Sequence, residues 1–239
     1  MSTTMFNKHL VTLDVDWAPD EVIRYTIDLL AKYGVKATLF ATHESDYLKS
    51  LDMNKYEIGI HPNFNQGGDH SEIIEKLKAI YPDSIGVRSH SLFQSSQLLQ
   101  LFIDNGLKYE VNTFIPLMEG IHPFVRVKGI VSIPFYWEDD YHYLLGTPFE
   151  LCQLKVDKEG LKIYNFHPIH VFMNTNSAEH YNSFKAFYND LDILKKHRNN
   201  GKGIRTLFVG LLRYLTSNNL PTHTCEEICS KYISAGKPL

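Results

Sequence analysis

The chain has 239 residues, 44% hydrophobic and 21% charged, with a net charge of −3, which is the profile of a globular protein with a sizeable core. That charge excludes a broad nucleic-acid surface, and no apolar run is long enough for a transmembrane helix. The start, MSTTMFNKHLVTLDVD, lacks a signal-peptide core, and three cysteines fit a reducing compartment, so a cytoplasmic location is expected. His9–Asp16 reads as a first buried strand, and Glu21–Tyr33 as an amphipathic helix that stops at Gly34. Lys36–Thr42 is a second strand, so a right-handed βαβ crossover is expected. Ser45–Leu51 reads as a short helix, Tyr56–Ile60 as a third strand, and Ser71–Ile80 as a helix capped by Ser71. Ile85–Arg88 is a fourth strand, Ser95–Asp104 a helix, and Lys108–Asn112 a fifth strand. Pro116–Phe124 reads as a loop, Val125–Phe135 as one or two strands around Lys128-Gly129, and Gly160–Asn165 as another strand. Thr175–Tyr181 reads as a loop, and Phe184–His197, Thr206–Ser217 and Thr224–Ala235 as helices.

The alternation of strands and helices, without repeat or linker, predicts one domain, either a barrel or an open doubly wound sheet. Both place their sites at the carboxyl ends of the strands. That rule selects Asp14 and Asp16, His43, His61, Arg88 and His90, Asn112, Glu138 to Asp140, His167 and His170. The other histidines, His9, His70, His122, His142, His180, His197 and His223, are expected to be mostly solvated. Leu13 and Val15 alternate with Asp14 and Asp16, so an extended backbone turns both carboxylates to one side. Such a pair repels itself unless a cation, a shared proton or water intervenes. Mixed Asp and His ligands around an open position suit Zn²⁺ or a similar divalent ion. A carboxylate base and a histidine acid beside that ion complete the means to hydrolyse an amide or ester.

The order of these pieces resembles the polysaccharide deacetylases of the NodB-homology type, carbohydrate esterase family 4. Thr12-Leu13-Asp14-Val15-Asp16 is similar to the first motif, in which one Asp is the base and the next binds metal. Glu57-Ile58-Gly59-Ile60-His61 resembles the approach to a metal-binding His. Gly86-Val87-Arg88 resembles the motif whose Arg contacts the catalytic Asp, and Ile163-Tyr164-Asn165-Phe166-His167 the motif whose His is the general acid. More narrowly, DVDWAPD, IGIHPNF, GVRSHSL, YWEDD and FHPIH resemble the WbmS-type branch, found in surface-polysaccharide gene clusters.

The resemblance implies a single-domain irregular (β/α) barrel of about seven strands across 1–239, with motifs in 10–170 and C-terminal helices in 184–239. It implies a metal-dependent deacetylase that removes an acyl group, N-acetyl above all, from an amino sugar. Asp14 is the expected base, Arg88 orients it, and His167 is the acid. One divalent ion, zinc by expectation, lies on Asp16, His61 and a third ligand. The reverse assignment of Asp14 and Asp16 is also open, because Val15 separates acids that are adjacent in the family. The family's second metal-binding His is Asn65 here, so His90 is the expected replacement, with Asn65 itself or an acid of Glu138, Asp139 and Asp140 as alternatives. Trp17, Asn63, Trp137, Glu138 and His170 are the expected substrate contacts. The expected partner is a carbohydrate, nucleotide-linked or lipid-linked. Two rival readings remain: a non-catalytic carbohydrate-binding protein on the same scaffold, and a hydrolase of another non-peptide carbon–nitrogen bond.

Overall fold

A computed structural model describes residues 3–126 and 129–235; Lys128, inside an expected strand segment, lies outside the described residues. Among the described residues nine strands occur in chain order: β1 (His9–Asp14), β2 (Ala37–Ala41), β3 (Tyr56–Ile60), β4 (Gly86–Val87), β5 (Tyr109–Glu110), β6 (Phe124–Val125), β7 (Val131–Ser132), β8 (Trp137–Glu138) and β9 (Lys162–Phe166). The α-helices of the described residues are α1 (Asp20–Tyr33), α2 (Asp46–Lys49), α3 (His70–Ile80), α4 (Ser96–Asp104), α5 (Asp139–Leu144), α6 (Pro168–Met173), α7 (Ala178–Phe184), α8 (Leu191–His197), α9 (Ile204–Ser217) and α10 (Cys225–Ser234). The spatial order of the strands is β6-β7-β5-β4-β3-β2-β1-β9-β8, parallel throughout except for β6–β7.

Nine strands stand where about seven were expected, and the chain shows why. β7 pairs with β5, β8 pairs with β9, and the two are ends of the single stretch 131–138. Between them Phe135 N donates to Thr113 O (2.9 Å) and Tyr136 N donates to Ile163 O (2.9 Å). The sheet thus curls until its two ends meet in one extended segment. Pro134 has no N–H to give the ladder, so the segment counts as two strands. β6 is an added antiparallel strand outside this ring.

Local chemistry places the elements. α1 has Asp20 and Glu21 in its first turn and closes at Gly34, whose φ of 64° is the left-handed cap geometry. Gly86 lets β4 lie against β5, since a Cβ there would fall 2.0 Å from the Tyr109 ring. α1 packs on α6 and α9, and Phe208 of α9 sets its ring 4.8 Å from that of Phe166 in β9. The expected loop Thr175–Tyr181 contains the start of α7, and the expected helix Phe184–His197 is broken. Two separate caps account for this: Ser177 accepts from His180 N, and Asp190 accepts from Ile193 N. His9 and His142, expected in solvent, are buried. No described helix is long and apolar enough to cross a membrane.

Candidate active site

β1 stops at Asp14, two residues earlier than the alternation predicts. Asp16 and Trp17 follow in left-handed conformations, with φ of 44° and 57°. Such backbone is costly for side chains with a Cβ and is kept where the surroundings over-determine it. Trp17 N is held by Thr42 Oγ1 at 2.9 Å. The turn brings the Asp16 carboxylate over the strand ends, where the extended reading had placed it by a different path.

Three donors converge there. Asp16 Oδ1 lies 3.2 Å from His61 Nε2 and 3.2 Å from His90 Nδ1. His61 follows β3, and its Nδ1 is 2.7 Å from the Arg88 carbonyl oxygen, so Nδ1–H donates there and Nε2 turns toward Asp16. Ligands about 2.0–2.1 Å from a tetrahedral ion stand ~3.3 Å apart, so the spacing of these three groups fits a divalent metal. Asn65, the alternative ligand, is exposed, and its side chain donates to the His90 carbonyl at 3.4 Å.

On one side of this trio sits a buried ion pair. Arg88, fully buried, donates from Nη1 to Asp14 Oδ1 (2.9 Å), Thr12 Oγ1 (3.0 Å) and Asn165 Oδ1. Its guanidinium lies 4.6 Å from the Phe40 ring centre and 4.7 Å from that of Phe135. Asn165 Nδ2 donates to Asp14 Oδ2 at 2.9 Å. Burial alone would raise Asp14, but Arg88, then His61 and His167, hold its carboxyl below the ordinary range. Burial likewise opposes charge on Asp16, and the hydrogen bonds to His61 and His90 hold it well below that range.

On the other side is His167, just past β9. Asp139 accepts from it twice, from Nδ1 at 2.6 Å and from the backbone N at 2.7 Å. Its Nε2 faces Asp16 Oδ2 at 3.5 Å. Burial disfavours the imidazolium, yet Asp139 and Asp140 hold the His167 pKa well above its usual value. Glu138 joins the same wall, and burial pushes it up to about 7. The resulting cavity, about 200 Å³, is lined by Asp14, Asp16, His61, His90, Glu138 and His167, together with Asp140 and the 89–92 loop.

Other selected residues fall elsewhere. Trp137 is buried: its ring packs 4.8 Å from that of Phe166 and its Nε1 donates to His142, so it does not reach the cavity. That corrects its expected substrate contact; an indole with an apolar neighbour and a nearby acceptor is core. His170 lies behind the cavity wall, with Nε2 2.8 Å from Asp140 Oδ1 and Nδ1 3.0 Å from Thr175 Oγ1. Asn63 is spent on capping, accepting from Asn65 N at 3.0 Å. Trp17 stands at the rim, 41% exposed, with its ring edge-on to His90 at 5.2 Å. Asn112 braces the loop after β4 by accepting from Ser89 N at 2.7 Å, and His43 bonds Thr42 away from the cavity. Thr12 and Asn165 were missed as site residues. The signal was present, because Thr12 shares a strand face with Asp14 and Asn165 shares one with His167.

A curled barrel thus carries, at the carboxyl ends of its strands, an Asp-His-His trio between an Asp–Arg pair and a His–Asp pair. Comparison with known proteins is specific. The WbmS-like polysaccharide deacetylase family matches residues 11–185. A crystal structure from Bordetella bronchiseptica, described as a polysaccharide deacetylase involved in O-antigen biosynthesis, superposes with a TM-score of 0.80. It is 35% identical, over 87% of this chain and 90% of that one. The chain belongs to the WbmS-like polysaccharide deacetylase family. More distant structures share the fold: Bacillus subtilis peptidoglycan deacetylase PdaC has a TM-score of 0.55 at 10% identity, over 96% of this chain and 93% of that one. The peptidoglycan N-acetylglucosamine deacetylase Bc1960 has 0.51 at 12%, over 93% and 88%. A search of the curated proteins finds no match.

Proposed function

We propose that the chain, acting as one catalytic domain, is a metal-dependent hydrolase that removes an acyl group, N-acetyl above all, from an amino sugar of a surface-polysaccharide precursor. The observation that carries this reading is the Asp16-His61-His90 trio, set between Asp14 and His167. Asp16, His61 and His90 would hold the ion, and one carboxylate with two imidazoles suits zinc. Bound there, such an ion supplies an acidified water and polarises the acyl oxygen. Asp14 is the base: the pairing with Arg88 keeps it ionised and its Oδ2 lies 4.0 Å from His61 Nε2, beside the ligand set. His167 is the acid: it carries the proton that Asp139 and Asp140 favour, with Nε2 turned to the cavity and available to the leaving amine. Trp17 at the rim and Glu138 on the wall are the proposed sugar contacts, Glu138 offering a carboxyl that is partly protonated near neutral pH.

The test is acetate release from N-acetylglucosamine-containing substrates, nucleotide-linked and lipid-linked, together with metal analysis. Activity should disappear on chelation and return with Zn²⁺. Asp16→Ala should lose both the metal and activity by more than the ~10–100-fold typical of outer-shell partners. Activity untouched by Asp16→Ala would refute the metal role, and a folded protein that binds sugar without releasing acetate would favour the non-catalytic reading.

A further inference from the structure

Outside the barrel, α1 and α9 enclose a long open groove of about 720 Å³. Its walls carry Lys32, Lys202, Arg205 and Arg213, against a single lining carboxylate, Glu150. This is a local excess of positive charge on a chain whose net charge is −3. The pattern is built into α9: Arg205, Val209 and Arg213 recur every four residues and so share one face, with Thr206 and Gly210 beside them. Nothing lies within 4 Å of where a Gly210 side chain would begin, so the helix backbone itself forms open floor.

Behind the groove wall a further cation adds to this charge. Arg198 stacks on Phe172 (3.8 Å) and on the groove-lining Tyr25 (4.8 Å), and its buried Nε has no hydrogen-bond partner. Arg205 reaches the same tyrosine, with Nη1 3.4 Å from Tyr25 Oη. Two guanidinium groups therefore meet one tyrosine, Arg198 on its ring and Arg205 at its hydroxyl. Among the described residues Arg213 has no ion-pair or hydrogen-bond partner, Arg205 donates only to neutral oxygens, Tyr25 Oη and Asn199 O, and of the four lining cations Lys202 alone meets a carboxylate, Glu150 at 3.1 Å. Cations crowded together repel, and the arrangement is relieved when an anion joins them.

We propose that this groove binds an anionic saccharide chain, with its negative groups on Arg205, Arg213 and their neighbours and its sugar faces on Tyr25, Tyr33 and Phe149. Interleaved rings and guanidinium groups suit a ligand that alternates apolar ring faces with acidic substituents. The groove begins at Asn174, next to Thr175, which bonds His170 behind the cavity wall. The choice of a saccharide over another polyanion rests on the hydrolase reading; the anion site does not.

The test measures binding, not activity. Trigalacturonic acid probes a carboxylated sugar, inorganic pyrophosphate a phosphate-bearing one, maltotriose is the neutral control and pentaglutamate an acidic peptide. Calorimetry at low salt should show trigalacturonic acid binding, with maltotriose silent and the affinity falling as salt rises. Arg205→Gln/Arg213→Gln should weaken it by at least about tenfold, as expected for lost charge-assisted hydrogen bonds. Arg213→Gln alone, at an exposed position, should weaken it severalfold without disturbing the fold. Pyrophosphate binding without trigalacturonic acid overturns the saccharide assignment. Pentaglutamate binding as tightly as either probe overturns the saccharide assignment. No binding, or binding blind to both variants, overturns the groove and leaves the acetate assay to decide the hydrolase reading separately.

Discussion

Two buried carboxylates sit at different levels of the barrel, Asp14 at the end of β1 and Glu57 level with Thr12, and their environments push them opposite ways. At the upper end Asp14 pairs with the Arg88 guanidinium at 2.9 Å and is held below the ordinary range. Below it Glu57 accepts only from neutral donors: the Tyr109 hydroxyl, Thr38 Oγ1 (2.8 Å) and Glu226 N (2.9 Å). Burial, uncompensated by any cation, pushes Glu57 up to about 7. Burial is similar in the two cases, so the charge of the partner decides. A carboxylate kept ionised can take a proton in catalysis. One that is partly protonated near neutral pH serves as a hydrogen-bonding node, here joining β2, β3 and β5 to the first turn of α10.

The largest expected effect comes from breaking the upper pair. Asp14→Ala leaves Arg88 fully buried with no carboxylate, and removal of one partner of such a pair costs about 3–5 kcal/mol. Urea unfolding should show that loss, and a change below about 1 kcal/mol would mean that Thr12 and Asn165 suffice for the guanidinium. The lower node gives a pH signature. Folded Glu57 holds its proton more tightly than the unfolded chain does, so its stabilising contribution is full below about pH 4.5 and is lost as pH rises through about 7. The loss across that window is about 3 kcal/mol. Glu57→Gln cannot titrate at this position, so wild-type stability should fall relative to that of the Glu57→Gln variant as pH rises across this window. Parallel curves would show that the three donors offset burial.

Much of this was legible in the sequence because strand ends obey simple rules. The alternation Leu13-Asp14-Val15-Asp16 marked β1, and the filter of carboxyl ends collected every residue of the trio and both flanking pairs. His90 was identified by a coincidence of position, a His gained beside Arg88 where one was lost at Asn65. What escaped is what depends on distance in space. Nothing local shows that Asn165 bonds Asp14 and Arg88, because 151 residues separate it from Asp14. Trp137 next to Glu138 and Asp139 looked like a rim residue, but adjacent residues of a strand face opposite sides, and its side is the core. The break at Pro134 and the twin caps at Ser177 and Asp190 set boundaries that periodicity does not see. The left-handed turn at Asp16 is likewise unmarked, since no glycine announces it.

The smallest of these effects separates positioning from charge at the upper end. Asp139 binds His167 through two oxygens, one to the ring and one to the backbone. Asp139→Asn preserves the size and one acceptor while removing the charge that favours the imidazolium. If His167 is the acid, kcat for acetate release should fall about 10–100-fold, as for other partners that orient a reacting group, with KM little changed. The metal content should stay intact, because Asp139 is not among the proposed ligands. Glu57→Gln, an equally buried carboxylate-to-amide change deeper in the barrel, should leave kcat alone. An unchanged kcat in Asp139→Asn would remove His167 from the chemistry and return the Asp139–His167 pair to the same structural class as Glu57.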